Sequence, residues 1–256
     1  MLKIGRIPYT NLFPIYYYLE QRSQGRYGFI DGVPSVVNKL LREGKADVSP
    51  SSSIEYLRSP EKYILIQGHS ISSEGPVGSI ILFSKAPIEQ LDGRTILYSY
   101  HSETSVALLH VIMRKFLDLR CNMVSSSAPL QEGLQTHQAY LMIGDNALRE
   151  SLRWPDLRKY DLGETWYRET GLPFVYALWI RRRETGDIKH FIKDLDDSRS
   201  KALENLSGLA GHCPAGQWLS EEKLISYWRG ISYNLCERHM EGLALFSKYL
   251  VELEML

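Results

Sequence analysis

Residues 78–95 read GSIILFSKAPIEQLDGRT, and this stretch decides the predicted fold. Its apolar run at 80–83 predicts a buried strand, and Asp92 and Gly93 predict a turn into a new strand. A strong helix is expected at 104–117, where apolar residues recur along one face. Strands and helices therefore alternate around this stretch.

The alternation continues in both directions along the chain. Further strands are predicted at 2–7, 29–33, 45–49, 63–68, 139–143 and 173–181, and the tail from 187 onward is expected to be helical. Alternation of this kind predicts a mainly parallel sheet with helices on its faces. The predicted fold class is therefore α/β.

Residues 78–95 resemble the crossover of type II periplasmic-binding-protein folds, in which an apolar strand leaves one lobe and the next strand starts the other. Residues 173–181 have the matching character for a return strand. The resemblance implies two α/β lobes joined by two crossover strands. Lobe one would comprise 1–83 and 180–256, lobe two 84–179, and a ligand cleft would lie between them. A single doubly wound sheet is the alternative.

Composition narrows the classes of function. Lys+Arg and Asp+Glu both number 30, so the basic surplus typical of nucleic-acid and membrane-surface binding is absent, and we expect neither partner. The 3 cysteines are widely spaced and the histidines show no metal spacing, so we expect no disulfide framework and no metal. No nucleotide-binding or hydrolase motif occurs, and we expect no cofactor. Because we find no signal peptide or long apolar run, we expect a cytoplasmic protein.

Four loops rich in polar residues follow predicted strands, which is where ligands bind in parallel sheets. They lie at 8–11, 49–53, 99–105 and 144–146. Hydroxyls and free backbone N–H groups at helix N-termini bind anions without Lys or Arg, so two such sites on opposite lobes would suit a molecule with two carboxylates. The alternative is that these Ser and Thr residues only cap helices.

A set of short motifs, in consistent order over about 4–180, carries a more specific resemblance. The motifs include I-P-Y-x-N-x-x-P at 7–14, G-x-x-D-V-x-x-x-S-S-I-E-Y at 44–56, S-x-x-G-x-V-x-S at 72–79, I-G-D-x-A-L at 143–148, Y-D-L-G-x-x-W at 160–166 and T-G-L-P-F at 170–174. Together they resemble the chorismate dehydratase family of the futalosine-type menaquinone pathway. The resemblance implies that chorismate loses water to give 3-[(1-carboxyvinyl)oxy]benzoate.

The reaction needs a proton acceptor, and the predicted loops hold no obvious strong base. We expect Asn11 and Ser79 to be the catalytic residues, with Asn11 orienting chorismate and the substrate's own enolpyruvyl carboxylate taking the proton. His101 or Asp145 is the alternative base. The expected substrate-binding residues are Ser51, Ser52, His101, Thr104, Ser105 and Asp145.

Other functions stay open at this point. A non-catalytic small-acid binding protein has the same fold but would require export, and a transcription-regulator effector domain would need an N-terminal helix-turn-helix. The sister naphthoate synthase of the same pathway is a further alternative that shares the fold. The helical tail is a candidate for contacts in a homodimer.

Overall fold

The computed structural model describes residues 1–99 and 103–256, and these divide into two compact units. Unit 1 comprises Met1–Ile71 and Ala177–Leu235, and unit 2 comprises Ser72–Tyr176 and Cys236–Leu256. Each unit contains its own five-stranded sheet. Among the helices described, none is long and apolar enough to cross a membrane.

The elements alternate as predicted, but the sequence did not predict the strands at Asn122–Ser126 and Arg158–Asp161, and most of the loop expected at 49–53 lies in a strand, Val48–Ser52. The strands are β1 (Leu2–Arg6), β2 (Tyr27–Asp31), β3 (Val48–Ser52), β4 (Tyr63–Ser73), β5 (Ile80–Ser84), β6 (Thr95–Ser99), β7 (Asn122–Ser126), β8 (Ala139–Ile143), β9 (Arg158–Asp161) and β10 (Phe174–Arg182). The helices are α1 (Phe13–Ser23), α2 (Pro34–Arg42), α3 (Ser53–Arg58), α4 (Glu103–Val111), α5 (Leu130–Thr136), α6 (Gly144–Arg153), α7 (Leu162–Thr170), α8 (Lys189–Glu204), α9 (Leu206–Ala210), α10 (Glu221–Arg229) and α11 (Glu237–Glu252). The helix predicted at 104–117 is α4 followed by a π-helical turn at Ile112–Phe116.

The sheet of unit 1 has the strand order β2-β1-β3-β10-β4. β1 pairs in parallel with β2 and with β3, where Ile4 lies opposite Val48. Because β1 and β3 are parallel, both end at the same edge of the sheet. The loop at 7–12 and the last residues of β3 therefore share that edge.

The sheet of unit 2 has the order β7-β6-β8-β5-β9. β6 is parallel to β7 and β8, whereas β5 runs antiparallel to β8 with Ile80 opposite Ile143. The start of β5 therefore lies at the edge where β6 and β8 end. β5 runs antiparallel to β8 and β9, and β10 runs antiparallel to β3, so both sheets are mixed. In unit 2 the other four strands all run in the same direction, so this sheet is mainly parallel, as expected.

The structure places two segments differently from the predicted lobe bounds. The range 1–83 was expected in lobe one, but β5 lies inside the second sheet, where all of Ile80–Ser84 is buried between β8 and β9. An apolar run buried on both faces suits the interior of either sheet, so its pattern alone does not choose one. The strands with residues in both units are β4 and β10.

The second difference is the C-terminal helix, since 180–256 was expected in lobe one and α11 belongs to unit 2. The Phe246 ring packs edge to face against Phe174 with centroids 4.9 Å apart. Lys115 Nζ pairs with Glu252 at 2.6 Å. Gly242 in α11 lies against the backbone of Pro173. A Cβ atom added at Gly242 would stand 2.1 Å from the Pro173 carbonyl oxygen.

We expect Gly242→Ala to lower the free energy of unfolding by about 1–3 kcal/mol, because the added methyl group overlaps backbone that cannot give way. Alanine favours helices over glycine, so a loss of stability here reports the clash. Urea unfolding of the wild type and the variant measures it. Gly211→Ala is the control, since nothing lies within 4 Å of a Cβ there. Equal stability of the two variants would contradict the observed packing of α11.

Candidate active site

Asn11 lies in the loop after β1, at the carboxyl edge of the unit 1 sheet. The backbone N–H of Leu12 donates to the Tyr9 carbonyl oxygen at 3.0 Å, and α1 begins directly afterwards at Phe13. The side-chain oxygen Oδ1 of Asn11 is buried and accepts no hydrogen bond from any residue that the structure describes. Because buried polar atoms are normally paired, this amide oxygen is available to a donor on a ligand.

Ser51 and Ser52 end β3 at the same edge, and both side chains are buried. The Oγ of Ser51 lies 2.6 Å from the Oγ of Ser49. The amide of Asn38 holds Ser52 twice, since its Nδ2 donates to the Ser52 Oγ at 2.7 Å and its Oδ1 accepts from the Ser52 N–H at 3.3 Å. Ser52 stands at the N-cap position of α3, but its hydroxyl forms no capping hydrogen bond among the residues described. Helix capping therefore does not account for the Ser52 side chain.

The structure brings four of the predicted residues to one edge of the unit 2 sheet. Ser79 directly precedes β5, and its carbonyl oxygen accepts from the Gly144 N–H at 2.7 Å. Asp145 lies in the first turn of α6, after β8, while Thr104 and Ser105 lie in the first turn of α4, after β6. Ser79, Thr104 and Ser105 are buried, and Asp145 is half-buried.

Two further predictions concern His101 and metal binding. His101 lies outside the described residues, so the structure places neither its ring nor its backbone. Within 1–99 and 103–256, no three His, Cys, Asp or Glu side chains are arranged to hold a metal ion. The expected absence of a metal and of a cofactor stays a prediction.

Asp161 lies in the motif at 160–166, but the sequence predicted no role for it in the site. Its buried carboxylate accepts hydrogen bonds from the N–H groups of Val77 at 3.1 Å and Gly78 at 2.6 Å, which precede Ser79. It also caps α7 by accepting from Gly163 at 2.9 Å and from the next N–H at 3.1 Å. The same side chain therefore holds the loop that carries Ser79 against the start of a helix.

Burial raises the pKa of the Asp161 carboxyl, and the four backbone N–H donors act in the opposite direction. The backbone of this loop requires glycine at two positions. Gly75 and Gly78 have φ angles of 105° and 74°, which other residues rarely adopt. An Asp directly before a predicted helix is the sequence signal for an N-cap. The bonds to Val77 and Gly78 have no such local signal, since those residues lie more than 80 positions earlier.

The chain is similar to proteins of one family along almost its whole length. The family described as "Menaquinone biosynthesis" matches residues 2–252. A protein of Thermus thermophilus named chorismate dehydratase is 28% identical over 96% of this chain and 94% of its own. A second chorismate dehydratase, from Campylobacter jejuni, is 28% identical over 77% of this chain and 75% of its own.

Solved structures agree on the fold. A crystal structure of a protein from Archaeoglobus fulgidus has a TM-score of 0.79 at 16% identity and covers 100% of this chain and 98% of its own. The periplasmic aliphatic sulphonate binding protein SsuA from Escherichia coli has a TM-score of 0.64 at 16% identity over 100% of this chain and 88% of its own. The predicted periplasmic-binding-protein-like fold is thereby confirmed. Since the family match spans nearly all residues, the chain belongs to the menaquinone biosynthesis family.

Proposed function

We propose that this protein is a chorismate dehydratase, which removes water from chorismate to give 3-[(1-carboxyvinyl)oxy]benzoate. The observation that carries the proposal is the similarity to the Thermus thermophilus chorismate dehydratase over 96% of this chain. The polar residues at the carboxyl edges of both sheets support it, because chorismate presents two carboxylates that need hydrogen-bond donors. The expected cytoplasmic location and homodimer remain predictions.

The reaction requires hydrogen-bond donors and a proton acceptor, and it does not require a strong nucleophile. The hydrogen on C3 of chorismate is vinylogous to the ring carboxylate, so its removal leaves an extended enolate whose charge reaches that carboxylate. The C4–O bond then breaks, the ring becomes aromatic, and the departing hydroxide takes a proton to leave as water. Donors that hold the ring carboxylate therefore also stabilise the charge that develops.

We propose two sets of side chains, one in each unit, as candidates for binding chorismate. In unit 1 the set is Asn11, Ser51 and Ser52, and in unit 2 it is Ser79, Thr104, Ser105 and Asp145, with His101 as a further member. Asn11 orients the substrate through its buried amide, whose Oδ1 can accept from the substrate hydroxyl. Neutral donors leave the charge on the carboxylates themselves, which keeps the enolpyruvyl carboxylate able to act as a base.

The proposed base is the enolpyruvyl carboxylate of chorismate. An amide such as that of Asn11 cannot accept a proton at neutral pH, and neutral serine and threonine hydroxyls are themselves very weak bases. The carboxylate takes the C3 proton and returns a proton to the departing hydroxide, so the reaction regenerates it. His101 and Asp145 are the alternative bases.

Mixing the purified protein with chorismate tests the proposed function. We expect an ultraviolet change as the ring becomes aromatic, and mass spectrometry should show a product that has lost one water. The reaction should proceed at the same rate after treatment with a chelator. A thermal shift with chorismate but no change in the ligand would instead identify a binding protein, and the proposal would be wrong.

Single substitutions distinguish the possible bases. We expect Asn11→Ala and Ser79→Ala to lower kcat by about 10²–10³-fold, the usual cost of removing one preorganised donor. His101→Ala and Asp145→Asn should mainly raise KM, since these residues would bind but not take the proton. Single-turnover kinetics and chorismate binding measure both effects. Abolished turnover with intact binding in His101→Ala or Asp145→Asn would show that the protein supplies the base.

Asp161→Asn tests whether this carboxylate positions Ser79. The amide cannot accept from both the Val77 and Gly78 N–H groups while capping α7, so we expect faster hydrogen exchange at 74–79 and a lower kcat. Asp92→Asn is the control, since Asp92 also accepts from a backbone N–H in unit 2, that of Arg120 at 2.8 Å. Unchanged exchange at 74–79 would show that the loop is held by other contacts.

A further inference from the structure

The loop that carries Asn11 is held by side chains from a segment more than 200 positions later in the chain. The indole Nε1 of Trp228 donates to the Thr10 carbonyl oxygen at 2.8 Å. The phenol of Tyr233 donates to the carbonyl oxygen of Asn11 itself at 2.7 Å. All of these residues belong to unit 1. The carbonyl oxygens of Thr10 and Asn11 therefore both accept from side chains in the C-terminal part of unit 1.

Trp228 also contacts the chain on the other side of Asn11. Its ring stacks on Phe13, the first residue of α1, with centroids 6.1 Å apart and planes 11° apart. Trp228 is fully buried, and Thr10 is buried beneath it. One side chain thus fixes the residue before Asn11 by a hydrogen bond and the start of the following helix by stacking. The backbone of Asn11 has little freedom between these two contacts.

Trp228 and Tyr233 lie in segments that have stabilising hydrogen bonds of their own. Trp228 lies in α10, whose N-terminus is capped by the Ser220 side chain. The backbone of Tyr233 is tied to β4, because its carbonyl oxygen accepts from the Ser70 N–H at 3.1 Å and the Ser70 hydroxyl donates to the Asn234 carbonyl oxygen. The positions of both aromatic side chains are therefore set by the sheet and by a helix, not by the Asn11 loop.

Tyr233 keeps its donor proton in the folded protein at neutral pH. Its side chain is buried, and burial raises the pKa of the phenol well above its ordinary value, so the hydroxyl keeps its proton. The bond to the Asn11 carbonyl oxygen is partly buried, and a carbonyl there that loses its donor is left less well paired. We therefore expect loss of the phenol hydroxyl to shift the backbone of Asn11.

We infer that Trp228 and Tyr233 are positioning residues for Asn11, and that residues 221–235 form part of the framework of the active site. The inference rests on the proposed function for its catalytic meaning. Neither side chain needs to contact chorismate, because each acts through a backbone carbonyl next to the amide that does. Since the carboxylates of the substrate are held by other residues, a displaced Asn11 should affect the chemical step more than binding.

Tyr233→Phe removes a single oxygen and tests the inference directly. We expect kcat to fall by about 10–100-fold, the cost of a small misplacement of a catalytic group, while KM stays within about 3-fold. Trp228→Phe, which retains an aromatic ring beside Phe13, should lower kcat in the same way. Tyr27→Phe is the matched control, since it removes a buried phenol that donates to Asp194 at 2.5 Å at the opposite edge of the unit 1 sheet.

A double-mutant cycle separates positioning from a general loss of stability. If Tyr233 acts through Asn11, then Tyr233→Phe should cause no further loss of kcat in an Asn11→Ala background. Losses that multiply in the double variant would overturn the inference, as would an unchanged kcat in Tyr233→Phe. Thermal unfolding of the Tyr233 and Tyr27 variants shows whether their stabilities are comparable.

Hydrogen exchange at 7–13 provides a readout that does not depend on the reaction. We expect faster exchange there in Tyr233→Phe and no change there in Tyr27→Phe. A wild type that leaves chorismate unchanged would disprove the proposed function, and the exchange would still decide whether Tyr233 holds the loop. Exchange at 7–13 equal to that of the wild type would overturn the inference.

Discussion

Parallel pairing of β1 with β3, and of β6 with β8, determines where the polar loops of this protein lie. Strands that run in the same direction end at the same edge of a sheet, so residues far apart in the chain are brought to one place. Asn11 joins Ser51 and Ser52 in this way. Asp145 joins Thr104 and Ser105 in the same way, and the antiparallel strand β5 adds Ser79 from its N-terminal end. The polar residues at each sheet edge depend on these pairings before they depend on any single side chain.

Each edge is then held by buried hydrogen bonds to backbone groups. In unit 2 the Asp161 carboxylate accepts from the loop before Ser79, and in unit 1 Trp228 and Tyr233 donate to the loop around Asn11. These bonds are effective because the side chains that make them are buried, where an unpaired polar group is costly. Both loops therefore have one favoured backbone conformation, as a site that orients a substrate requires.

The proposed reaction explains why a site with so few titratable side chains is sufficient. Chorismate brings two carboxylates and gains aromaticity on losing water, so the protein needs to supply donors, orientation and protection from solvent. Neutral hydroxyls and an amide meet that need without removing the charge from the carboxylate that acts as the base. The Oδ1 of Asn11, which has no partner among the residues that the structure describes, fits this scheme most directly.

Local patterns in the sequence predicted most of the strands and helices, and short motifs predicted the family of this protein. Apolar runs such as 80–83 and turn residues such as Gly93 predict strands and their ends because these signals act over a few neighbouring residues. The motifs that predicted the family and the residues of the site are local for the same reason. The fold, and no local pattern, shows that β5 lies in the second sheet, that α11 packs within unit 2, and that Tyr233 reaches Asn11. Those outcomes depend on which buried surfaces and hydrogen-bond donors come into contact when the chain folds. A pattern within a short segment does not indicate which distant segment that segment will contact.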